Sequence, residues 1–101
     1  MNLKLKSRQE LNVLYHAISS NYENLRFITD TEKILCFAIL KDFGLKLVKK
    51  QYAMTCKSIK LTMAEAFMLR IVLVQIKTGN AYNDAVLSTM YFDIDKFCTG
   101  L

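Results

Sequence analysis

Three times this chain writes the start signal of an α-helix. Ser7-Arg8-Gln9-Glu10, Thr29-Asp30-Thr31-Glu32 and Thr62-Met63-Ala64-Glu65 each read Ser/Thr-x-x-Glu just before an apolar stretch. In this capping box the hydroxyl accepts from the backbone N–H three residues on, and the glutamate reaches back to the cap's own N–H. Two donors that a helix start leaves without partners are satisfied together. No proline interrupts what these signals begin. The pattern constrains architecture rather than activity, and it predicts a stack of helices.

Apolar spacing places four of them. The first is expected over residues 7–26, where Leu11, Leu14, Tyr15, Ile18, Tyr22 and Leu25 recur at three- and four-residue steps. The second is expected over residues 30–52, with Cys36, Leu40, Phe43 and Leu47 as its stripe. Gly44 lies inside it, and a mid-helix glycine costs about 1 kcal/mol relative to alanine. The stripe keeps its phase across Gly44, which favours a continuous helix. The alternative ends the helix at Phe43, caps it with Gly44 and folds residues 45–61 into a short hairpin, an α+β arrangement. Val48, Tyr52, Thr55 and Ile59 suit strands, yet no Gly, Asn, Asp or Pro stands between 45 and 61 to make a tight turn. Residues 53–61 are read as connection. The third helix is expected over residues 62–78, with Leu61 packing back on it. Gly79 suits the left-handed position after that helix, and Asn80 suits the N-cap of a fourth over residues 80–98. Short connections favour antiparallel neighbours. The expected fold is therefore all-α: a four-helix bundle or irregular four-helix array in one domain over residues 1–101.

No run is long enough to cross a membrane. The longest uninterrupted apolar stretch is Ile34 to Leu40, and the next, Phe67 to Ile76, is broken by Arg70 and Gln75; a span requires ~20 residues. Met1 to Lys6 carries two lysines with no apolar core behind them, unlike a secretory signal. Three scattered cysteines, Cys36, Cys56 and Cys98, argue against a disulfide framework and for a reducing compartment. A cytoplasmic protein is expected.

Catalytic constellations are hard to find. The lone histidine, His16, has Asn12, Val13, Ser19 and Ser20 as helical neighbours and no carboxylate beside it, so it reads as a solvated surface residue. One His and three dispersed Cys do not supply a zinc set. Gly44, Gly79 and Gly100 are too few for a phosphate loop. Asp93 and Asp95 diverge by roughly 200° on a helix and cannot act as a dyad. Glu65 is explained by capping. Cys36 reads as a small core residue, and so does Cys98. Cys56 sits among lysines, which lower a thiol's pKa, and is the one candidate nucleophile. The chain reads as non-catalytic, with no metal or cofactor.

Two features point to partners. The first is charge. Lys41, Lys46, Lys49, Lys50, Lys57 and Lys60 face Asp42 alone in residues 41–60, which holds the whole net charge of +5, while residues 80–101 are acidic. These lysines could neutralise nucleic-acid phosphates or an acidic protein, with Tyr52 available to stack. No arginine lies among them, which weakens base readout, and a solvated helix face is the plain alternative.

The second feature is surplus apolar surface. Residues 34–40 and 67–76 are apolar nearly all the way round, whereas a bundle helix keeps one face in water. Two such rods exceed what one copy covers, which predicts a two-fold homodimer with Leu35, Ile39, Phe67, Ile71 and Val74 as candidate interface residues. The alternative is a compact array with one central helix. Arg70, set among apolar residues, is expected either to extend to water or to pair with an acid such as Asp84 or Asp93.

Overall fold

A computed structural model describes residues 1–52 and 57–100. Among them the chain runs β1 (Asn2–Lys4), α1 (Arg8–Asn21), α2 (Asp30–Gln51), β2 (Ser58–Lys60), α3 (Met63–Leu73) and α4 (Ala81–Thr99), with a single 3-10 turn at Tyr22–Asn24. The fold is the expected mostly α-helical four-helix array, with one short two-stranded ribbon added. α1 packs on α2, α2 on α3 and α3 on α4, and α4 closes the ring against α1.

The three capping boxes are realised to different degrees. At Thr62 both halves form: its hydroxyl accepts the Glu65 N–H at 3.1 Å, and Glu65 Oε1 accepts the Thr62 N–H at 2.9 Å. At Thr29 only the hydroxyl half forms, with Glu32 N at 3.1 Å. Ser7 is the N-cap of α1 but makes no side-chain capping bond. Glu10 instead accepts the Lys6 N–H at 2.7 Å, one residue earlier than the box requires.

Two helix ends differ from expectation, each for a local reason. α1 ends at Asn21, whose Nδ2 donates to the Ala17 carbonyl at 2.8 Å as the chain tightens into the 3-10 turn. Leu25 is still buried, but from extended backbone. α3 stops at Leu73, five residues short of the expected end. There the Gln75 and Ile76 N–H groups bond back only three residues, to Val72 and Leu73. That tighter turn sends Ile76 into the core. α2 runs unbroken through Gly44, so the reading that capped it there is set aside. The one glycine with positive φ is Gly79, at 78°, as the stop between α3 and α4 requires. Asn80 caps α4 through its side-chain oxygen, which accepts the Asn83 N–H at 3.0 Å.

The ribbon corrects the expectation for residues 45–61. Ser58–Lys60 is a strand, but its partner is the N-terminus rather than a neighbouring segment. Leu3 lies opposite Ile59, Asn2 opposite Lys60 and Lys4 opposite Ser58. The ladder continues at both ends, from Leu61 N to Met1 O and from Leu5 N to Lys57 O, each at 2.8 Å. A strand alternates its faces. Leu3 and Ile59 are therefore fully buried, with β1 packed against α4, while Asn2, Lys4, Ser58 and Lys60 face solvent. Pairing with a distant segment removes any need for a tight turn, which is why the missing turn residues were no obstacle.

The core joins Leu11, Leu14 and Ile18 of α1, Leu40, Phe43 and Leu47 of α2, Leu69 and Val72 of α3, and Leu87 and Ile94 of α4. α3 is more enclosed than its all-round apolar character suggested, with Ala66, Met68, Leu69, Val72 and Leu73 all buried between α2 and α4. Arg70 does pair with an acid, but the partner is Asp95, with Nε 2.8 Å from Oδ1.

Candidate functional site

α2 turns Cys36, Leu40, Phe43 and Leu47 inward. Four-residue spacing then leaves Leu35 and Ile39 on the flank facing α3. α3 turns Leu69 and Val72 inward and leaves Phe67 and Ile71 on its matching flank. The two flanks meet in an apolar groove of about 430 Å³, lined chiefly by Leu35, Cys36, Ile39, Phe67, Met68 and Ile71, with Thr29, Thr31 and Glu32 at one end. Leu35 is 59 % exposed and Phe67 40 %; Ile39 and Ile71 are half-buried. Four of the five predicted interface residues thus share one groove. Val74 does not line it: it borders a neighbouring depression with Leu73, Tyr91 and Phe92.

Cys36 contributes as a hydrocarbon-like group. Burial, reinforced by the nearby Glu32 carboxylate, pushes its thiol pKa upward, so it stays protonated at neutral pH. Burial also raises Cys98, with Arg70 and Asp95 acting on it in opposite directions. Cys56, the candidate nucleophile, lies outside the described residues.

The predicted lysine face divides in space. Lys46 is engaged inside the fold: Nζ stands 2.9 Å from Glu65 Oε1 and also donates to the Lys60 carbonyl. Lys41 and Lys49 lie exposed on α2, and Lys50 is half-buried. Lys57 and Lys60 stand on the ribbon with Lys4 and Lys6, which the sequence reading had left out. Their alternation with Leu3 and Leu5 was the signal that could have placed them there. Lys4, Lys6 and Lys57 border a depression whose floor includes Leu5, Val86 and Met90, and whose rim also carries Glu10 and Asp93.

His16 is exposed beside a polar groove with Gln9, Asn12, Ser20, Lys77 and Asn83. No carboxylate is among the described residues lining that groove. Near its edge Asp84 accepts the Thr78 N–H and hydroxyl, each at 2.8 Å, and these bonds hold its carboxyl below the ordinary range. Among the described residues no group of three His, Cys, Asp or Glu is arranged to hold a metal ion, and no helix is long and apolar enough to cross a membrane.

Exposed apolar residues also lie outside the groove. Leu45 and Tyr52 on α2 are 58 % and 84 % exposed, and Phe92 on α4 is 68 % exposed. Comparison with protein-family models, curated proteins and solved structures finds no match.

Proposed function

We propose that this protein is a small, non-catalytic helical interaction module of the cytoplasm that self-associates as a homodimer, without a resident metal or cofactor. The observation that carries the reading is the open apolar groove between α2 and α3, where Leu35 and Phe67 are exposed beside Ile39 and Ile71. Isolated exposed leucines need no explanation, but contiguous apolar surface of this kind marks interfaces. The buried free thiols of Cys36 and Cys98 support a reducing compartment. Sedimentation from micromolar to millimolar concentration tests the proposal. A mass that rises toward the dimer supports it, and a monomer throughout contradicts it.

A second reading has its own support. Lys4, Lys6, Lys57 and Lys60 gather on the ribbon, and none takes part in an ion pair among the described residues. These cations suit nucleic-acid phosphate or an acidic protein, with Lys41, Lys49 and Lys50 as more distant contributors. Phosphate binding of this kind falls steeply with salt. Replacing Lys4, Lys57 and Lys60 together by Glu abolishes it if this reading holds. Unchanged mobility shifts of DNA and RNA by the triple variant would exclude it.

A further inference from the structure

α1 and α2 do not close on each other along their whole length. From Tyr15 to Asn24 on one side and Leu40 to Val48 on the other they leave an open cleft of about 600 Å³. That volume lies within the range of small-molecule sites, roughly 300–1,000 Å³. Helix spacing builds its walls. Tyr15, Ile18 and Tyr22 recur at three and four residues, and Leu40, Gly44 and Val48 recur at four along α2. Ile18 and Leu40 are buried, while Tyr15, Gly44 and Val48 are half-buried. The Tyr22 ring rests against Phe37, with centroids 4.8 Å apart, so this wall is fixed from behind.

Gly44 leaves the cleft open. It stands in the middle of α2 with negative φ, and a Cβ added there would meet nothing within 4 Å. Neither backbone conformation nor packing within this chain requires glycine, yet it weakens the helix by the alanine–glycine difference. Glycine serves where a ligand approaches the backbone closely. Between Leu40 and Val48 it bares a flat stretch of helix beside two tyrosines, a floor suited to a planar ring.

The rim carries one cation and one anion. Lys41, a turn before Gly44, and Glu23, on the 3-10 turn, both border the cleft, and neither takes part in an ion pair among the described residues. A ligand bearing only an acid would meet Glu23, and one bearing only an amine would meet Lys41. A ligand bearing both satisfies the two at once.

We propose that the α1–α2 cleft binds a small aromatic zwitterion, of which a free aromatic amino acid is the simplest form. Its ring lies on Gly44 between Tyr15 and Tyr22, its carboxylate toward Lys41 and its ammonium toward Glu23. Both charged side chains are exposed, so they select the ligand more than they hold it. This site is separate from the α2–α3 groove, since no residue lines both, and it does not depend on self-association.

The chain contains no tryptophan, so indole fluorescence reports a probe alone. The test titrates L-tryptophan with the full-length chain, read by fluorescence anisotropy, with helicity and melting followed by circular dichroism. Saturable binding is expected in the parent and in Phe67→Glu. Gly44→Ala is expected to melt roughly 2–8 °C higher, because the helix gains and nothing clashes, and yet to bind more weakly. Gly44→Leu fills the floor and weakens binding about tenfold or more with helicity retained. Lys41→Met weakens L-tryptophan about threefold and leaves tryptamine unchanged, whereas Glu23→Gln weakens L-tryptophan about threefold and leaves indole-3-propionate unchanged. No saturable binding by the parent up to millimolar chain overturns the inference. So does a lower melting temperature in Gly44→Ala, which would make the glycine a requirement of the fold. Binding kept in Gly44→Leu but lost in Phe67→Glu moves the ligand to the other groove and overturns the site. Equal binding of L-tryptophan, tryptamine and indole-3-propionate overturns the zwitterion. A Gly44→Leu variant that loses a parent dimer, where the parent binds no probe, makes a second copy the occupant and overturns the inference while self-association stands.

Discussion

Lys46 and Glu65 join two parts of the fold that the sequence keeps nineteen residues apart, Nζ to Oε1 at 2.9 Å. The same carboxylate oxygen accepts the Thr62 N–H, and the same ammonium donates to the Lys60 carbonyl. One acid therefore closes the capping box of α3 and fastens β2 and α3 to α2. Burial of Glu65 works to raise its pKa, but the Thr62 N–H and Lys46 outweigh it, so the pKa falls below the ordinary 4.5.

A pH dependence follows from that arrangement. A carboxyl whose pKa is lower folded than unfolded stabilises fully at neutral pH, and that contribution is lost as pH falls from about 4.5 through the folded value. Glu65→Gln keeps the shape and part of the cap but loses the charge. It is expected to cost about 1–2 kcal/mol at pH 7, because Lys46 is left unpaired yet still partly solvated. Urea titrations of parent and variant should converge below the folded pKa. A gap that stays constant from pH 7 to pH 3 would show that the pair contributes nothing as a charge.

The N-terminal strand is structural. Leu3 is fully buried opposite Ile59 and packs within the common core. Leu3→Ala is expected to destabilise by about 2–4 kcal/mol, in the range for emptying a core leucine site. Thermal or denaturant unfolding reads this directly. A loss below about 0.5 kcal/mol would mean that the ribbon is not part of the folding unit.

Gln75 holds the segment after α1 in place. Its Oε1 accepts the Arg26 N–H at 2.7 Å, and its Nε2 donates to the Arg26 carbonyl at 2.9 Å. The same amide nitrogen also reaches the Ile71 carbonyl at 3.0 Å. Gln75→Ala is expected to cost about 1–2 kcal/mol, since a net hydrogen bond is worth about 1 kcal/mol and these are solvent-exposed. Hydrogen exchange at the Arg26 amide should accelerate selectively. Unchanged exchange there would contradict the clamp.

Cys36 and Cys98 are both buried, with thiols raised above their ordinary pKa. Iodoacetamide at neutral pH is expected to modify them only when the chain is unfolded, because the thiolate is the reactive form. Peptide mass analysis after brief native labelling checks this. Rapid native labelling of Cys36 would show that the floor of the α2–α3 groove opens readily to water.

Much of the architecture was legible because it is written in local signals. The boxes at Thr29 and Thr62, the Gly79–Asn80 stop and start, and the core stripes of α1 and α2 act over three or four residues. The ribbon was not legible in that way: Leu3 meets Ile59 across most of the chain, and each strand has only three residues. α3 ended early because a tight turn and one glutamine side chain outweighed an apolar periodicity that continued to Ile76. At the candidate site, Leu35, Ile39, Phe67 and Ile71 were identified from apolar excess alone, and the structure sets them together. The lysines were grouped by position in the chain, but helix and ribbon separate them, and Lys46 answers an acid that had been assigned only to capping.

The central claim is that α2 and α3 leave an apolar groove which a second copy covers. Sedimentation equilibrium of the parent chain from micromolar to millimolar concentration, beside Phe67→Glu under the same conditions, tests it most directly. The parent is expected to approach twice the chain mass of 11.7 kDa while Phe67→Glu stays at that mass with its helicity intact. A parent that remains at 11.7 kDa across the whole range would contradict it.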